Sequence, residues 1–387
     1  MLDIVFYGFV VISTVIGVLF VRQLGFAFSH FRIKKAINAS TRTKDLPSVS
    51  VCIPARNEKH AMTQCLEKVL TSTYPKLEII VLDDSSGDDT SILIKSFAHA
   101  GVRFVEGAHL PHGWLGKNYA LDGLLKEASG SYIFYMDVDT LIEPDSISRL
   151  VAYAISEQAA MVSVLPSRAD SWRWSVLFSS LRYFRELIMH SKSLPAVSSN
   201  AWLIDRGILE DNLAGFENCK QYIQPEAYFA KRLMASNKYR FLIGNSELGI
   251  NYEKRWLSQI ETGIRLSFPI FGGNLLTNML AILVVAIIIL PIPILISGLF
   301  MEWSYIHAFA FWQISIFAAI YGLFLSHVWS RGWWIGMFLW PVIIIQEWIV
   351  MWLSLIRHST GTVTWKGRPV VNTRLSLFGY RQNDTKS

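Results

Sequence analysis

Apolar and polar positions follow different patterns in different parts of the 387-residue chain. Residues 4–21 and much of the region after residue 273 form long apolar runs, whereas residues 47–250 alternate short apolar runs with amphipathic segments. An apolar run of roughly 18 residues or more is long enough for a membrane-spanning helix. Alternating strands and helices favour a mostly parallel sheet that helices cover on both faces. The pattern therefore predicts an α/β domain flanked by membrane helices.

The pattern of residues 47–250 predicts individual strands and helices. In an open α/β sheet the ligand crevice lies at the carboxyl ends of the strands. Short apolar runs predict strands at Val49–Ile53, Leu77–Leu82, Val102–Val105, Tyr132–Met136, Met161–Leu165 and Tyr239–Ile243. Amphipathic stretches predict helices at Glu58–Ser72, Asp88–Ala100, Lys117–Ala128, Pro144–Glu157 and Pro225–Ser236.

The same pattern predicts five regions along the chain. Three C-terminal apolar blocks at about 275–299, 304–326 and 333–356 join the N-terminal one as expected membrane helices, and Trp and Tyr cluster near their ends, as in an interfacial belt. The predicted regions are an N-terminal transmembrane anchor (1–28), an α/β domain (47–250), an interfacial segment (251–272), transmembrane helices (273–356) and a basic tail (357–387). For the third region, the linking residues 251–272, an interfacial helix and a plain connection both remain open.

Basic residues set the expected orientation. They follow the first apolar run, whereas a cleaved signal peptide carries its positive charge before the apolar core. We therefore expect an N-terminus outside the cell membrane, a multi-pass protein and a cytoplasmic α/β domain. The basic tail also favours the cytoplasm, although one helix before the domain and three after it would place the tail outside. The topology of the C-terminal blocks stays open.

Composition supports a membrane protein and narrows the class of partner. Hydrophobic residues make up 52% of the chain, above the roughly 45–50% of soluble proteins. The net charge of +6 is concentrated beside apolar segments, where it favours contact with anionic lipid. The three cysteines show no paired or metal-ligand spacing and suit a reducing compartment. No pattern of interleaved aromatic and basic residues favours nucleic acid.

Candidate chemistry starts at the end of the predicted strand Tyr132–Met136. Asp137 and Asp139 follow it at a spacing that points two side chains to one side of an extended chain. Two hard oxygen ligands suit Mg²⁺ or Mn²⁺, and such a cation could hold a diphosphate. A solvated acidic turn is the plain alternative.

Polar residues also follow two other predicted strands. Asp83 and Asp84 follow Leu77–Leu82, where a carboxylate could accept the imide N–H of uracil, and helix capping is the alternative role. Pro54 to Glu58 follow the first strand and could hold a ribose or base, with Glu58 otherwise a residue that the helix dipole favours. Strand ends that deliver polar groups to one edge predict a binding site better than any single motif does.

Two further residues complete the candidate site. Lys117 begins a predicted helix just after Gly113 and Gly116, where it could meet a phosphate; a solvated surface lysine is the alternative. Glu226 follows Pro225 at the start of another helix and could remove a proton from an acceptor hydroxyl, or simply be an N-terminal helix acid.

Taken together, these motifs resemble family-2 glycosyltransferases of the GT-A fold. The resemblance rests on Val51 to Glu58, Asp83 to Ser86 and the Asp-Val-Asp motif at 137–139; Pro111 to Lys117 and Thr364 to Arg368 further resemble membrane enzymes that glycosylate carotenoids, hopanoids and related lipids. Two departures matter: the family's Glu-Asp pair reads Pro225-Glu226, and the Gln-x-x-Arg-Trp motif of processive members reads Tyr252 to Trp256 without the Gln.

The resemblance implies roles for individual residues. Pro54, Glu58 and Asp84 (or Asp83) would contact the nucleotide, with Lys117 near the diphosphate and Asp137 near the ribose or diphosphate. Asp139 would bind Mg²⁺ or Mn²⁺, and Glu226 would be the catalytic base. Arg255 and Trp256 would lie on the acceptor or phosphate side, a role that the missing Gln puts in question.

The expected function is transfer of a sugar, with inversion, from a nucleotide-sugar donor (we expect UDP-linked) to the hydroxyl of a lipid acceptor. Transfer to a polyprenyl phosphate and processive polysaccharide synthesis are alternatives within the class. A catalytically inactive membrane protein that binds or transports lipid is the alternative from another class. Among the charged residues of the C-terminal blocks only Glu347 sits within a block, which gives transport little support.

Overall fold

The computed structural model describes residues 2–33, 46–169, 181–191, 194–329 and 332–370. Its contacts divide the chain into two compact units, and we describe each by itself. The sheet domain comprises Phe28–Ala169 and Met189–Glu253. The helical unit comprises Met1–Ala27, Asp170–Ile188 and Lys254–Ser387. The helix at Arg182–Met189 therefore belongs largely to the helical unit, although its residues fall inside the range 47–250 that the sequence pattern assigned to the α/β domain.

The described residues form twelve strands and thirteen α-helices, numbered here in chain order. The strands are β1 Val49–Ala55, β2 Leu77–Asp83, β3 Val102–Glu106, β4 Tyr132–Met136, β5 Thr140–Ile142, β6 Met161–Leu165, β7 Ser167–Arg168, β8 Ala201–Asp205, β9 Tyr239–Ile243, β10 Ile250–Tyr252, β11 Thr364–Trp365 and β12 Arg368–Pro369. The helices are α1 Leu2–His30, α2 Lys59–Leu70, α3 Thr90–Ser96, α4 Gly116–Glu127, α5 Ser146–Ser156, α6 Arg182–Met189, α7 Pro225–Ala235, α8 Trp256–Ile270, α9 Leu275–Ile289, α10 Pro291–Ser297, α11 Tyr305–Val328, α12 Trp333–Phe338 and α13 Trp340–Ser359.

A seven-stranded sheet in the order β3-β2-β1-β4-β8-β6-β9 forms the centre of the sheet domain. All six predicted strands belong to it, and their neighbours pair in parallel except around β8. β8 runs antiparallel to both β4 and β6, so the sheet is mixed. Its register places Met136 opposite Ala201, which brings the segment before β8 against the carboxyl end of β4.

Apolar side chains from the strands and covering helices make the core of the sheet domain. β1 and β4 are almost entirely buried, as expected for strands covered on both faces. Met62 and Leu66 of α2 and Leu150 of α5 pack into the same cluster. A three-stranded sheet, β5-β10-β7, lies at the edge where β4 ends, because β5 follows β4 after a turn of three residues.

Among the described residues, four helical segments, which lie wholly or mostly in the helical unit, are long and apolar enough to cross a membrane: Tyr7–His30, Leu275–Ser297, Tyr305–Val328 and Trp340–Ser359. This confirms the expectation of one such helix near the N-terminus and three after the sheet domain. Residues 256–270 of the linking segment form the helix α8, and an interfacial position for this helix stays a prediction. α8 runs beside α13, where Trp256 Nε1 donates to Gln346 Oε1 at 2.9 Å and Phe268 stacks on His358.

Candidate functional site

A tight turn after β4 holds the two acids of the Asp-Val-Asp motif. The backbone N–H of Asp137 donates to the carbonyl of Asn200 at 2.9 Å, and the N–H of Thr140 donates back to the carbonyl of Asp137 at 2.9 Å. The buried hydroxyl of Thr140 donates to the same Asn200 carbonyl at 2.9 Å. At the other side, the N–H of Glu253 donates to the carbonyl of Asp139 at 2.9 Å. The turn is therefore fixed by neighbours on both sides, and both carboxylates leave it at the carboxyl edge of the sheet.

Lys117 reaches this turn from the start of α4. Its Nζ lies 2.6 Å from Asp137 Oδ1, with side-chain exposures of 17% and 24%. The lysine is thus not the freely solvated surface residue of the alternative interpretation. It places one positive charge beside the two acids, at the edge where strand ends meet.

The loops after β1 and β2 hold each other through reciprocal hydrogen bonds. Asn57 has a positive φ of 52°, and its backbone N–H donates to Ser86 Oγ at 2.9 Å. Its side-chain oxygen accepts from the N–H of Gly87 at 2.8 Å. The Arg56 guanidinium donates to the carbonyls of Asp84 and Ser85. These bonds join the loop after β1 (Arg56 and Asn57) to the loop after β2 (residues 84–87), and we call the joined loops the ledge.

Asp88 and Thr90 extend this ledge to the start of α2. Glu58 precedes that helix, and its N–H donates to Thr90 Oγ1 at 2.8 Å. The N–H of Lys59 donates to Asp88 Oδ2 at 3.3 Å. Burial raises the pKa of Asp88, but hydrogen bonds from Thr90 and Lys59 outweigh it and hold the pKa below its usual value. Glu58 is the residue before the helix rather than a first-turn acid, and its side chain makes no capping bond.

The two acids after β2 differ in what their side chains do. Asp83 accepts from the backbone N–H of Ser86 at 3.3 Å, from the Ser86 hydroxyl, and from the Ser91 hydroxyl at 2.5 Å. These bonds commit its carboxylate to shaping the loop. Asp84 is also buried, and its N–H donates to the carbonyl of Ala55 at 2.8 Å. The backbone at Gly107 packs closely against the end of β2, because a Cβ at Gly107 would lie 2.7 Å from the carbonyl oxygen of Asp83.

Glu226 lies in the first turn of α7 behind a loop that α4 holds in place. Asn118 Nδ2 donates to the carbonyls of Cys219, Lys220 and Tyr222, at 2.9, 3.2 and 2.8 Å. Since Lys117 precedes Asn118, one helix turn contacts both the Asp137 turn and the loop before Glu226. The Glu226 side chain is only 1% exposed.

Two residues of this region escaped the sequence reasoning. Asn118 carries the loop just described, but an asparagine inside a predicted helix gives no local signal of this. Gln224, directly before α7, buries its Nε2 without donating to any residue in the described ranges. Its amide is therefore a candidate donor to a ligand beside Glu226.

Three of the predicted acids raise the pKa of one buried thiol. Burial raises the pKa of Cys65, and the carboxylates of Asp139, Glu58 and Asp137 raise it further. Residues that follow β1 and β4 therefore lie close enough to act on the same atom. Burial also raises the pKa of the Cys219 thiol, and the Glu226 carboxylate raises it further, so Glu226 lies near that thiol.

The donor set fits a divalent cation that arrives with a substrate. Within the described ranges, no group of three His, Cys, Asp or Glu side chains is arranged to hold a metal ion. The turn nevertheless presents two carboxylates, Asp137 and Asp139, and Mg²⁺ is usually held by one or two carboxylates with phosphate oxygens and waters. A cation shared with a diphosphate is thus compatible with this turn.

The other predicted site residues are not joined by these hydrogen bonds to the turn after β4. Pro54 belongs to β1 itself, opposite Leu82 of β2, so it ends no strand. Arg255 and Trp256 begin α8 in the helical unit, where Trp256 contacts Gln346 of α13. The motif from Thr364 to Arg368 forms the hairpin β11–β12, and Arg265 of α8 lies 5.9 Å from the Trp365 ring centre.

Comparison with known proteins identifies the domain. Residues 50–213 match the family described as "Glycosyl transferase family 2". The chain is 34% identical over 121 residues to the "Probable glycosyltransferase YdaM" of Bacillus subtilis, covering 30% of this chain and 29% of that protein. It is 27% identical over 138 residues to a Staphylococcus aureus "4,4'-diaponeurosporenoate glycosyltransferase", covering 35% and 36%. The chain thus aligns with about a third of each relative's length.

A solved structure extends the likeness over nearly the whole chain. The mannosyltransferase PcManGT from Pyrobaculum calidifontis, in complex with GDP-Man and Mn²⁺, is 16% identical, with a TM-score of 0.55 over 92% of this chain and 98% of that one. At this identity the likeness concerns the fold. The expected GT-A fold, with one N-terminal and three C-terminal apolar helices, is confirmed.

Proposed function

Because the chain carries a glycosyltransferase family 2 domain, we propose that it transfers a sugar from a nucleotide-sugar donor to the hydroxyl of a membrane lipid. The observation that carries the proposal is the Lys117–Asp137 contact of 2.6 Å, which joins the start of α4 to the acidic turn after β4. A positive charge held among acids at the carboxyl edge of a mostly parallel sheet suits a diphosphate that brings its own cation.

The ledge after β1 and β2 would hold the nucleotide. Asp83 is committed to Ser86 and Ser91, so Asp84 is our choice for the contact with the base. Glu58 lies at the same ledge and would face the ribose. We expect a uridine nucleotide, because a carboxylate can accept the imide N–H of uracil.

The diphosphate would lie between Lys117 and the turn after β4. Asp139, with Asp137 beside it, would hold Mg²⁺ or Mn²⁺, which supplies positive charge to the departing diphosphate when bound. Lys117 would donate to a phosphate oxygen as its bond to Asp137 is shared or released. Both side chains are partly exposed, so a ligand can reach them.

Glu226 would take the proton of the acceptor hydroxyl as it attacks the sugar in a single displacement with inversion. Its near-complete burial keeps water from competing for the carboxylate. Gln224 would donate its buried Nε2–H to the sugar or acceptor beside it. A phosphate acceptor needs no such base, which separates the hydroxyl acceptor from a polyprenyl phosphate.

The relatives support a lipid acceptor, and the four apolar helices fit an enzyme embedded in the cell membrane with its sheet domain on the cytoplasmic side. Lipids extracted from cells with and without the protein, analysed by mass spectrometry, would test this. We expect one glycolipid to be absent from the deletion strain and restored by the wild-type gene. Identical lipid profiles would contradict the proposal.

Purified variants would test the mechanism on that glycolipid's precursor. We expect Glu226→Gln to lower the transfer rate by a factor of about 10² to 10⁴, the usual contribution of a general base. The exposed Glu127, paired with Arg103, provides the matched control, and Glu127→Gln should transfer at the wild-type rate. Full activity of Glu226→Gln would remove the hydroxyl-acceptor mechanism and favour a phosphate acceptor.

A further inference from the structure

A cavity of about 540 Å³ lies between α1 and α11 in the helical unit. The two helices run side by side in the same direction: the Phe9 and Phe309 ring centres are 6.4 Å apart, and the Phe20 and Phe317 ring centres are 6.2 Å apart. Ile320 lies 3.7 Å from where a Cβ at Gly17 would stand, so the helices touch there. The volume falls within the range of about 300–1,000 Å³ that small-ligand pockets occupy.

The lining of this cavity is apolar except at a few positions. Valine, isoleucine, phenylalanine, tryptophan, glycine and alanine residues form most of its wall. The polar residues that line it are Ser13, Thr14 and Arg22 from α1 and Gln313 from α11. Both helices are long and apolar enough to cross a membrane, so we expect lipid around the cavity.

Gln313 is the exceptional residue of the wall. Its side chain is 2% exposed, and neither Oε1 nor Nε2 has a hydrogen-bond partner among the described residues. The hydroxyl of Ser13 already donates to the carbonyls of Phe9 and Val10, at 2.8 and 3.1 Å. A buried amide with both atoms unbonded is costly in an apolar medium, so an occupant of the cavity that supplies the missing bonds would be stabilised there.

The amide limits the chemistry of that occupant. A hydroxyl donates one hydrogen bond and accepts others, so one hydroxyl can satisfy both atoms of Gln313, whereas an ester or ether offers acceptors only. Gln313 lies about 12 Å along α11 from its start at Tyr305 and about 22 Å from its end at Val328. In a hydrocarbon layer about 30 Å thick, this depth lies well below the headgroups of ordinary phospholipids.

We infer that the cavity between α1 and α11 binds one apolar lipid whose chain or ring carries a hydroxyl, with that hydroxyl bonded to the Gln313 amide. Arg22, nine residues beyond Ser13 on α1, lies about 13 Å further along the cavity and contacts the acidic end of the lipid. The inference goes beyond the proposed glycosyl transfer and does not depend on it.

Binding to the purified full-length protein in nanodiscs tests the site without any activity assay. The probes are octadecanoic acid and its mid-chain hydroxy derivative, which share a carboxylate and differ only in the hydroxyl. We expect the wild type to bind the hydroxy acid about tenfold more tightly, as for a hydrogen bond to a group that is otherwise buried unbonded. We expect Gln313→Leu to bind the two acids equally.

Two further variants separate the site from a general effect on the helix. Ser315 is exposed on α11 and does not line the cavity, so Ser315→Ala should keep the tenfold preference. Ala319 lines the cavity, so Ala319→Phe should weaken the binding of both acids at least tenfold. Gel filtration and circular dichroism of each variant check that it is folded.

The contradicting results are equally definite. A wild type that binds neither acid, or both equally, would overturn the inference; the second result is expected if a buried water alone satisfies Gln313. A preference that survives in Gln313→Leu would also overturn it.

Discussion

Carboxylates in the loops and strands of the sheet domain and buried polar side chains of the helical unit differ in how they are hydrogen-bonded. In the sheet domain, Asp83 is buried, Glu78 is half-buried and Asp88 is exposed, and each accepts several hydrogen bonds that join neighbouring loops and strands. In the helical unit, Gln313, Arg185 and His358 are buried, yet each keeps at least one nitrogen or oxygen atom without a partner in the described ranges. For helices that are long and apolar enough to cross a membrane, we expect the second arrangement to be the more costly one, because water cannot replace a lost bond inside a bilayer.

The difference shows what each unit's polar residues are for. In the sheet domain they fix the positions of strand-end loops, which a binding site for a charged donor requires. In the helical unit, part of the hydrogen-bonding capacity of these side chains is unused among the described residues, which suits contact with lipid or with an occupant of a cavity. Three experiments test this contrast, in order of decreasing expected effect.

The largest effect is expected at the buried ion pair of the helical unit. Arg185 Nη1 lies 2.7 Å from Glu347 Oε1 and 3.0 Å from Ser267 Oγ, and both charged side chains are almost inaccessible. Removing one partner leaves an uncompensated buried charge, so Glu347→Leu should lower the free energy of unfolding by about 3–5 kcal/mol. Denaturant titration of the protein in detergent, followed by circular dichroism, measures this value.

A double variant separates the pair from the leucine itself. Replacing Arg185 and Glu347 together by leucine removes both charges, and most of the lost stability should return. If the double variant were as unstable as Glu347→Leu, the loss would come from packing rather than from the stranded arginine.

A smaller effect is expected where the sheet domain packs its backbone closely. A Cβ at Gly130 would lie 2.6 Å from both the backbone nitrogen and the hydroxyl of Ser50. Gly130→Ala must therefore push β1 from the turn before β4, and we expect a loss of roughly 1–3 kcal/mol in the free energy of unfolding. Gly87 has open space around it, so thermal unfolding of Gly87→Ala is the matched control. Equal melting temperatures for the two variants would contradict the packing argument.

The smallest effect is a pH dependence at Glu78. Burial raises the pKa of this carboxyl, but hydrogen bonds from Ser50, Ser129 and Gly130 outweigh burial and lower the pKa below its usual value. The stabilisation is therefore complete above the unfolded pKa of about 4.3 and is lost as the pH falls through the lower folded pKa. Glu78→Gln should lose roughly 1–2 kcal/mol at pH 7 and show a flatter fall in stability below pH 4.

Denaturant titrations of wild type and Glu78→Gln between pH 3 and pH 7 measure that difference. Parallel curves for the two proteins would show that Glu78 is not the titrating group. Glu67 is exposed on α2 and lies outside this network of hydrogen bonds, so Glu67→Gln serves as the control that should parallel the wild type.

The sequence predicted the parts of the fold that local patterns determine. β4, β6 and β9 have the predicted bounds because each is a short apolar run between polar residues. β8 was missed: Ala201 to Asp205 is also a short apolar run, but its antiparallel place between β4 and β6 depends on pairings distant in sequence. In the same way, apolar length predicted the candidate membrane helices but not which of them touch.

The candidate site shows the same limit. Strand ends predicted Asp84 and Asp139 at one edge and a helix start predicted Lys117, whereas the contact between Lys117 and Asp137 became visible only in the structure. The roles of these residues stay predictions. The bonds from Asn118 to the loop before Glu226 could not be predicted, because they join α4 to residues about a hundred positions later. The unbonded amide of Gln313 likewise becomes visible only when α1 and α11 lie side by side.

One titration tests the central claim that separate strand ends build a single site for a diphosphate and its cation. UDP is titrated into the purified full-length protein with and without Mn²⁺, and into Asp139→Asn under the same conditions. We expect Mn²⁺ to tighten UDP binding to the wild type at least tenfold and to have no effect on Asp139→Asn. Wild-type binding that ignores Mn²⁺, or an equal gain in Asp139→Asn, would contradict the account.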